Sequence, residues 1–493
     1  MAYEPHQAYL KFFDREQSPQ WLNALAARAG AQQSAPTVYV DLGCAAGHST
    51  LALAPLYPET EFIGIDFNAG HIADANAEAR RLGLRNARYI HADFRALPVD
   101  LPPAQMLAVR GIYSWLAPEV RSALEHALTR VSAPRALLYL HHSVLPGGIV
   151  RDALGEALKA LGGPALQPAQ GREVARLMQE QAPVLHRHMG GAARFLQAQR
   201  EQADALWVHD LLNEDFRAEY AGQLHRRLAD HGWTFCGASA MQRNLPLLLV
   251  NEPVRPLLTD WHGPGTQTLL DVLTFNDART DVFVRGQAPC WGGGGYPPEL
   301  RFGLIVPDHD AASDAPVPNG TLKFVHPAAA ALLALLRDRP RTVAELRQRA
   351  PKLSDLELRD WLDLLWAGGK AAPFLPLSQV ARVDRSRLRR INRERLGWAL
   401  QALRPDTRVP LLAAEYGNCL IAGWFECLVL AHFDKRRHVG SQRQMLGRMH
   451  RAGMRFRAAD GQVAEDQLKA LQEALDALED RYLSKMGYWG IEV

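Results

Sequence analysis

Cysteine is scarce in this 493-residue chain: there are five, Cys44, Cys236, Cys290, Cys419 and Cys427, and no two form a C-x-x-C pair. An odd, scattered set gives neither a disulfide framework nor a zinc cluster, and points to a reducing compartment. No apolar run reaches the ~18–20 uninterrupted residues of a membrane helix. The longest candidate, 411–432, is broken by Glu415, Asn418 and Glu426. The start carries no charged segment followed by an apolar one, so no secretory signal is expected and the chain reads as cytoplasmic. An excess of one charge is also missing. With 56 Lys and Arg against 53 Asp and Glu, the net charge is +3, too small a field to require nucleic acid or an anionic membrane. Neither a G-x-S-x-G nucleophile elbow nor a G-x-x-x-x-G-K-[ST] phosphate loop occurs. His186-Arg187-His188 and Asp308-His309-Asp310 lack a third ligand at metal-site spacing, so no metal is expected.

What is present suffices for several cores: 47% of residues are hydrophobic and 22% charged, and the length suggests about three domains. Over residues 1–150, short apolar runs at 37–40, 61–65, 87–90, 106–109 and 136–140 alternate with helix-length segments. That pattern predicts βαβ units and a Rossmann-like, doubly wound α/β sheet buried on both faces. Residues 151–300 read as a mainly helical domain. A Gly/Pro-rich stretch at 289–298 and a Pro/Asp/Ser-rich one at 307–320 mark a boundary. Three helices at 327–337, 343–349 and 354–366, with a strand at 371–375, predict a winged-helix-like region over 301–400. A helical region follows over 401–493. Leu468, Leu471, Leu475, Leu478 and Tyr482, at 3-4-3-4 spacing, form a seam for another helix of the domain or of a dimer arm.

The chemistry concentrates in the first domain. Asp41-Leu42-Gly43-Cys44-Ala45-Ala46-Gly47 follows a β-branched strand and precedes a helix, so the small residues Gly43, Ala45 and Gly47 let backbone approach a ligand at the first strand-to-helix turn. A nicotinamide site would show G-x-G-x-x-G. Here Asp41 stands at the mouth of the loop, where it would repel a pyrophosphate and suit a cation such as S-adenosylmethionine. Asp66 ends the second strand 25 residues later, placed to accept two ribose hydroxyls, with Phe67 beside it. Asp93 follows the third strand and can accept from the adenine amine, while Phe94 covers the ring.

These residues resemble the class I S-adenosylmethionine-dependent methyltransferases, and more narrowly the bacterial ones with an appended methyltransferase regulatory domain, a group similar to rickettsial-type protein-lysine methyltransferases. The resemblance rests on 41–47, on Gly111-Ile112-Tyr113-Ser114-Trp115, on Leu145-Pro146-Gly147 and on Leu212-Asn213-Glu214-Asp215-Phe216-Arg217. It implies S-adenosyl-L-methionine as cofactor, with Tyr113 and Trp115 at the acceptor. Where relatives tend to have His and Tyr-Asn, this chain has Arg110 and His142-Ser143. Arg110 is therefore counted with the cofactor site. His141 and His142 end the fifth strand, and alternation lets at most one face the pocket. His142 is taken as the candidate base, an ordinary hydrogen-bonded histidine being the alternative. Core packing is the alternative for Tyr113 and Trp115. Tyr3 is expected to close over the cofactor.

The leading expectation is N-methylation of lysine side chains in a protein substrate. Methylation of a small molecule or peptide natural product, and a non-catalytic S-adenosylmethionine-binding scaffold, stand as alternatives. The basic stretches 382–395, with seven arginines against two acids, and 435–457 could hold phosphates or an acidic protein. Enzymes that methylate exocyclic base amines carry an Asn/Asp-Pro-Pro-aromatic run after the fourth strand, and Val109-Arg110-Gly111-Ile112-Tyr113 stands there instead, so nucleic acid is not the favoured partner.

Overall fold

The computed structural model describes residues 13–493 apart from 32–34, 163–165, 189–191, 202–203, 259, 261–262, 288, 290, 292–293, 402, 437 and 458–461. Tyr3 and Cys290 lie outside the described residues. The chain divides into two compact units, one of residues 1–51, 60–295 and 317–320, the other of 52–59, 296–316 and 321–493.

The first unit is built on a seven-stranded sheet. Its strands are β1 (Val38–Leu42), β2 (Glu61–Asp66), β3 (Ala87–His91), β4 (Ala104–Val109), β5 (Ser132–Ser143), β6 (Trp233–Ala238) and β7 (Ala278–Arg285). They lie in the order β3-β2-β1-β4-β5-β7-β6. Strands β1 to β5 are parallel, and β7 runs antiparallel to both β5 and β6. The central strands are short and apolar because helices cover both faces; all five residues of β1 are buried. The core joins Val40, Leu42, Ile63, Leu107, Leu138 and Leu140 from the sheet to Leu124 and Leu128 from the helix Pro118–Val131. Strand order reverses between β1 and β4, and ligands of open α/β sheets bind in the crevice at such a point, beyond the carboxyl ends.

Two strands of this sheet come from stretches that the sequence leaves without strands. Residues 233–238 and 278–285 fall within the span read as mainly helical, yet they complete the sheet as β6 and β7. Between β5 and β6 the helical reading holds. Helices Ile149–Gly162, Pro168–Gln181, Pro183–His188, Ala192–Glu201 and Asp204–Leu211 form an insertion. Its own core comprises Leu154, Leu158, Ala175, Leu196, Trp207, Leu211 and Leu212.

In the second unit the helices Pro327–Leu336, Val343–Arg349 and Asp355–Ala367 stand where expected, the last two started by Thr342/Glu345 and Ser354/Glu357 capping boxes. Arg301–Leu304 is the central strand of a three-stranded antiparallel sheet, between Arg341–Thr342 and Ala371–Phe374, so one strand precedes all three helices. The arginines of helix Arg385–Gln401 are engaged locally: Arg385 pairs with Glu415 and Glu492, and Arg389 with Glu492. The leucine seam packs inside the unit. Leu471, Leu475 and Leu478 are buried, and their helix, Gln467–Arg481, lies on Val439–Arg451. Among the described residues no helix is long and apolar enough to cross a membrane.

Candidate cofactor and acceptor site

The loop after β1 sits at the point of strand reversal. Gly43, Ala45 and Gly47 all take left-handed backbone, with φ of 82°, 46° and 72°. Glycine is demanded at two of them for a second reason as well. A Cβ on Gly43 would lie 2.4 Å from Ile112 Cδ1, and one on Gly47 would lie 2.4 Å from the Tyr89 ring. The small residues therefore serve tight internal packing of this turn, in addition to the close ligand approach read from the sequence. Gly43 N–H and Cys44 N–H donate to Ile65 O, tying the loop to β2.

Asp66, at the end of β2, is buried. Its two carboxylate oxygens accept from Ala45 N–H and Asn68 N–H, each at 2.9 Å. A carboxylate offers about four acceptor positions, so two remain for hydroxyl groups. Asn68 then caps helix Ala69–Leu82, accepting from Gly70 and His71 N–H. Asp41 is also buried, and burial, then the charge of Asp66, push its carboxyl up to about 7 while Arg110 works in the other direction. Two buried acids beside a glycine turn suit a ligand that brings positive charge.

Asp93 and Phe94 are arranged more locally. The Asp93 carboxylate accepts from Arg95 N–H and pairs with the Arg95 guanidinium at 2.7 Å; that hydrogen bond holds it below the ordinary carboxylate range. Phe94 is partly buried against the core, and Phe67 is half exposed. Arg110 donates to Asp14 Oδ2 at 2.9 Å, and the Tyr139 hydroxyl donates to the same oxygen at 2.8 Å. Next to Asp14, Glu16 accepts from Ser239 Oγ, and burial, then Asp14, raise its carboxyl to about 7. Asp14 and Glu16 belong to no motif and lie in a segment without periodic pattern.

The aromatic pair after β4 separates. Tyr113 is fully buried and its hydroxyl donates to Glu125 Oε1 at 2.5 Å and accepts from Arg227 at 2.7 Å. Arg227 also binds Glu219, so the Tyr113 phenol is a tie within the fold and its hydroxyl does not face an acceptor. Burial and the Glu125 charge raise its pKa. Trp115 turns the other way, toward the helical insertion, with its ring 5.1 Å from Phe216. The segment carrying Phe216 runs along this edge: Arg217 N–H donates to Ser114 O at 2.8 Å, and Asn213 Nδ2 to Trp115 O at 3.4 Å. Ser114 Oγ accepts from Ser143 N–H at 2.8 Å, locking the β4 turn to the end of β5.

The two histidines of β5 exchange the roles expected of them. His142 is fully buried, and its Nε2 meets Asp281 Oδ2 at 3.1 Å. The same oxygen holds His225 Nε2 at 2.8 Å, and Asp281 also accepts from Arg279, which in turn reaches Asp271 and Gln267. His142 is thus held through Nε2 in a network between β5 and β7, and so fully buried an imidazole does not serve as the candidate base; its Nδ1 and that of His225 have no hydrogen-bond partner among the described residues. Burial opposes ionisation of Asp281, but Arg279 and the two imidazoles outweigh it and hold this carboxyl well below the usual range. His141 lies on the other face. Its Nδ1 is buried without a hydrogen-bond partner, and burial, then the Arg110 charge, drive the imidazole down to about 3, with Arg151 adding a smaller push. Alternation was read correctly; which histidine faced which side was not.

The sheet order, the glycine turn at strand reversal and the acids ending β1 and β2 are those of the class I S-adenosylmethionine-dependent methyltransferase fold. A family described as "Methyltransferase domain" matches residues 33–109. The chain is 24% identical over 325 residues to an uncharacterized Synechocystis protein, sll1526, covering 63% of each. It is 30% identical over 108 residues to the uncharacterized protein RP789 of Rickettsia prowazekii, 22% of this chain and 20% of that one. The chain therefore spans less than two thirds of the length of these relatives. Among solved structures it is similar to PKMT2 from Rickettsia typhi in complex with AdoHcy, with a TM-score of 0.71 at 13% identity, over 98% of this chain and 99% of that one.

Proposed function

We propose that this chain N-methylates lysine side chains of a protein substrate. The observation that carries the reading is the state of His141 at the acceptor edge. Burial and the Arg110 charge keep its imidazole neutral, and the same conditions press a lysine ammonium toward its neutral, nucleophilic form. Its buried Nδ1 lacks a partner, so a hydrogen bond from an incoming nitrogen that reached it would satisfy it. The fold shared with PKMT2 over nearly the whole chain, beyond the methyltransferase domain, supports the same substrate class.

Bound S-adenosylmethionine supplies a methyl group on positively charged sulfur. Asp66 would accept the ribose hydroxyls, and Asp41 would face the cationic end at the turn. His141 receives the amine, and the β4 turn, locked through Ser114 and Ser143, keeps acceptor and donor in line. The lone pair of the neutral nitrogen would take the methyl while the electron pair of the broken bond stays with the departing sulfur, and the methylated ammonium would leave as a cation that exchanges its proton with solvent. The test is methyl-labelled S-adenosylmethionine incubated with purified chain and fractionated extract. Label recovered as methyl-lysine after protein hydrolysis is expected; label confined to a small-molecule or nucleic-acid pool overturns the assignment.

A further inference from the structure

Arg151, in the first turn of helix Ile149–Gly162, places its guanidinium carbon 5.5 Å from the ring centre of Phe216, 5.7 Å from Trp115 and 5.9 Å from Phe195. All three lie inside the ~6 Å over which a ring face attracts a cation. The rings come from three separate elements: Trp115 from the turn after β4, Phe195 from helix Ala192–Glu201, and Phe216 from the segment leading back to the sheet. Trp115 and Phe216 are buried, so the rings' attraction is little screened by water. Arg151 has no carboxylate within ion-pair distance among the described residues; its polar contact is Ser143 Oγ at 3.5 Å, a long bond at the end of β5. A cation of the chain's own thus sits among three aromatic rings and reaches Ser143, which lies two residues along β5 from His141.

The geometry points to Trp115, Phe195 and Phe216 as an alkylammonium box for the substrate lysine, with Arg151 as its resident occupant until the substrate displaces it. The inference rests on the lysine-acceptor reading for the identity of the incoming group. A lysine ammonium and its methylated product are cations on narrow alkyl stems, and methylation spreads the charge over more apolar surface, which suits ring faces. On leaving, the guanidinium gives up its ring contacts, which the incoming ammonium takes over, and the long bond to Ser143. Arg110, the largest of the charges acting on His141, stays in place when Arg151 swings out. A box filled by Arg151 about nine times in ten would weaken apparent binding about tenfold, because affinity scales with the fraction of chain competent to bind.

The experiment is calorimetry on the full chain with S-adenosylhomocysteine present, using a trimethyllysine peptide and the matching norleucine peptide as probes. Arg151→Ala, with Arg151→Gln as a second variant, is expected to bind the trimethyllysine peptide about tenfold tighter than the unchanged chain and the norleucine peptide no better. Adding Phe216→Leu should remove the gain. Unchanged trimethyllysine affinity in both Arg151 variants, or an equal gain for norleucine, overturns the box. A parallel assay of label transfer to lysine separates the two ideas. Transfer without any Arg151 effect on probe binding sinks the box alone, whereas a cation-selective gain without any transfer to lysine sinks the lysine acceptor alone.

Discussion

Asp66→Ala tests the cofactor site most directly. In the structure the carboxylate is buried and both its oxygens already accept backbone N–H bonds, from Ala45 and Asn68. These bonds fix its orientation, so hydroxyls of a bound ribose would meet a pre-aimed acceptor. Hydrogen bonds to a charged group contribute about 1.5–3 kcal/mol each, and two at the low end come to about 3 kcal/mol. That corresponds to about 150-fold weaker binding of S-adenosylmethionine. Alanine also strands two N–H groups of the loop, which adds to the loss by loosening the turn. Asp66→Asn keeps one carbonyl oxygen and should fall between the two. Calorimetric titration of the folded variants is the assay, with thermal melting run alongside to confirm that the fold survives. A folded Asp66→Ala chain that binds the cofactor within about threefold of the unchanged one would refute the placement of the ribose.

Four further outcomes rest on the same geometry. Asp41 is held near 7, so cofactor affinity should drop as pH falls through about 7, by up to tenfold per unit once the acid is protonated, because only the ionised carboxylate attracts the cation. Without cofactor the sign reverses: Asp41 and Glu16 hold protons in the fold that the unfolded chain releases above ordinary carboxylate values, so stability should decline as pH rises toward 7, as read from melting curves. Asp281→Ala leaves Arg279 and two histidines without their shared buried anion and should cost about 3–5 kcal/mol in denaturant unfolding; His142→Gln should cost less and keep methyl transfer per folded molecule. His141→Ala should cut turnover about a hundredfold with cofactor affinity unchanged, and unaltered turnover would remove it from the acceptor site.

The cofactor half of the site was legible in the sequence because its determinants are local. Strands β1 to β5 announce themselves as short apolar runs, and the acids stand at their carboxyl ends. The missed strands carry the opposite signature. In β7, Arg279 and Asp281 read as solvent-facing, yet both are buried because they neutralise each other and two histidines inside the fold. In β6, Gly237 adopts φ 155° at a register shift against β7, and no long apolar run survives. The pairing of Asp93 is hidden for a different reason: a neighbour two residues away, Arg95, supplies both a backbone N–H and a guanidinium, and local pairing of that kind leaves no trace in a motif.

The acceptor half could not be read from the sequence because it is assembled from distant segments. Period-two alternation says that His141 and His142 face opposite ways, but the choice between faces depends on where Asp281, 139 residues further on, completes the sheet. Tyr113 and Trp115 sit in a single 3₁₀ turn, where no strand or helix period applies, and Glu125 with Arg227 draws one ring inward while Phe216 meets the other. Cofactor binding needs only the strand ends and the first loop, a unit that recurs wherever this sheet does. In the proposed box, acceptor choice rests on what the helical insertion and the segment after it bring to the end of β5, namely Arg151, Phe195 and Phe216. Changing those three residues should therefore alter which amine is methylated while leaving the cofactor half of the site intact.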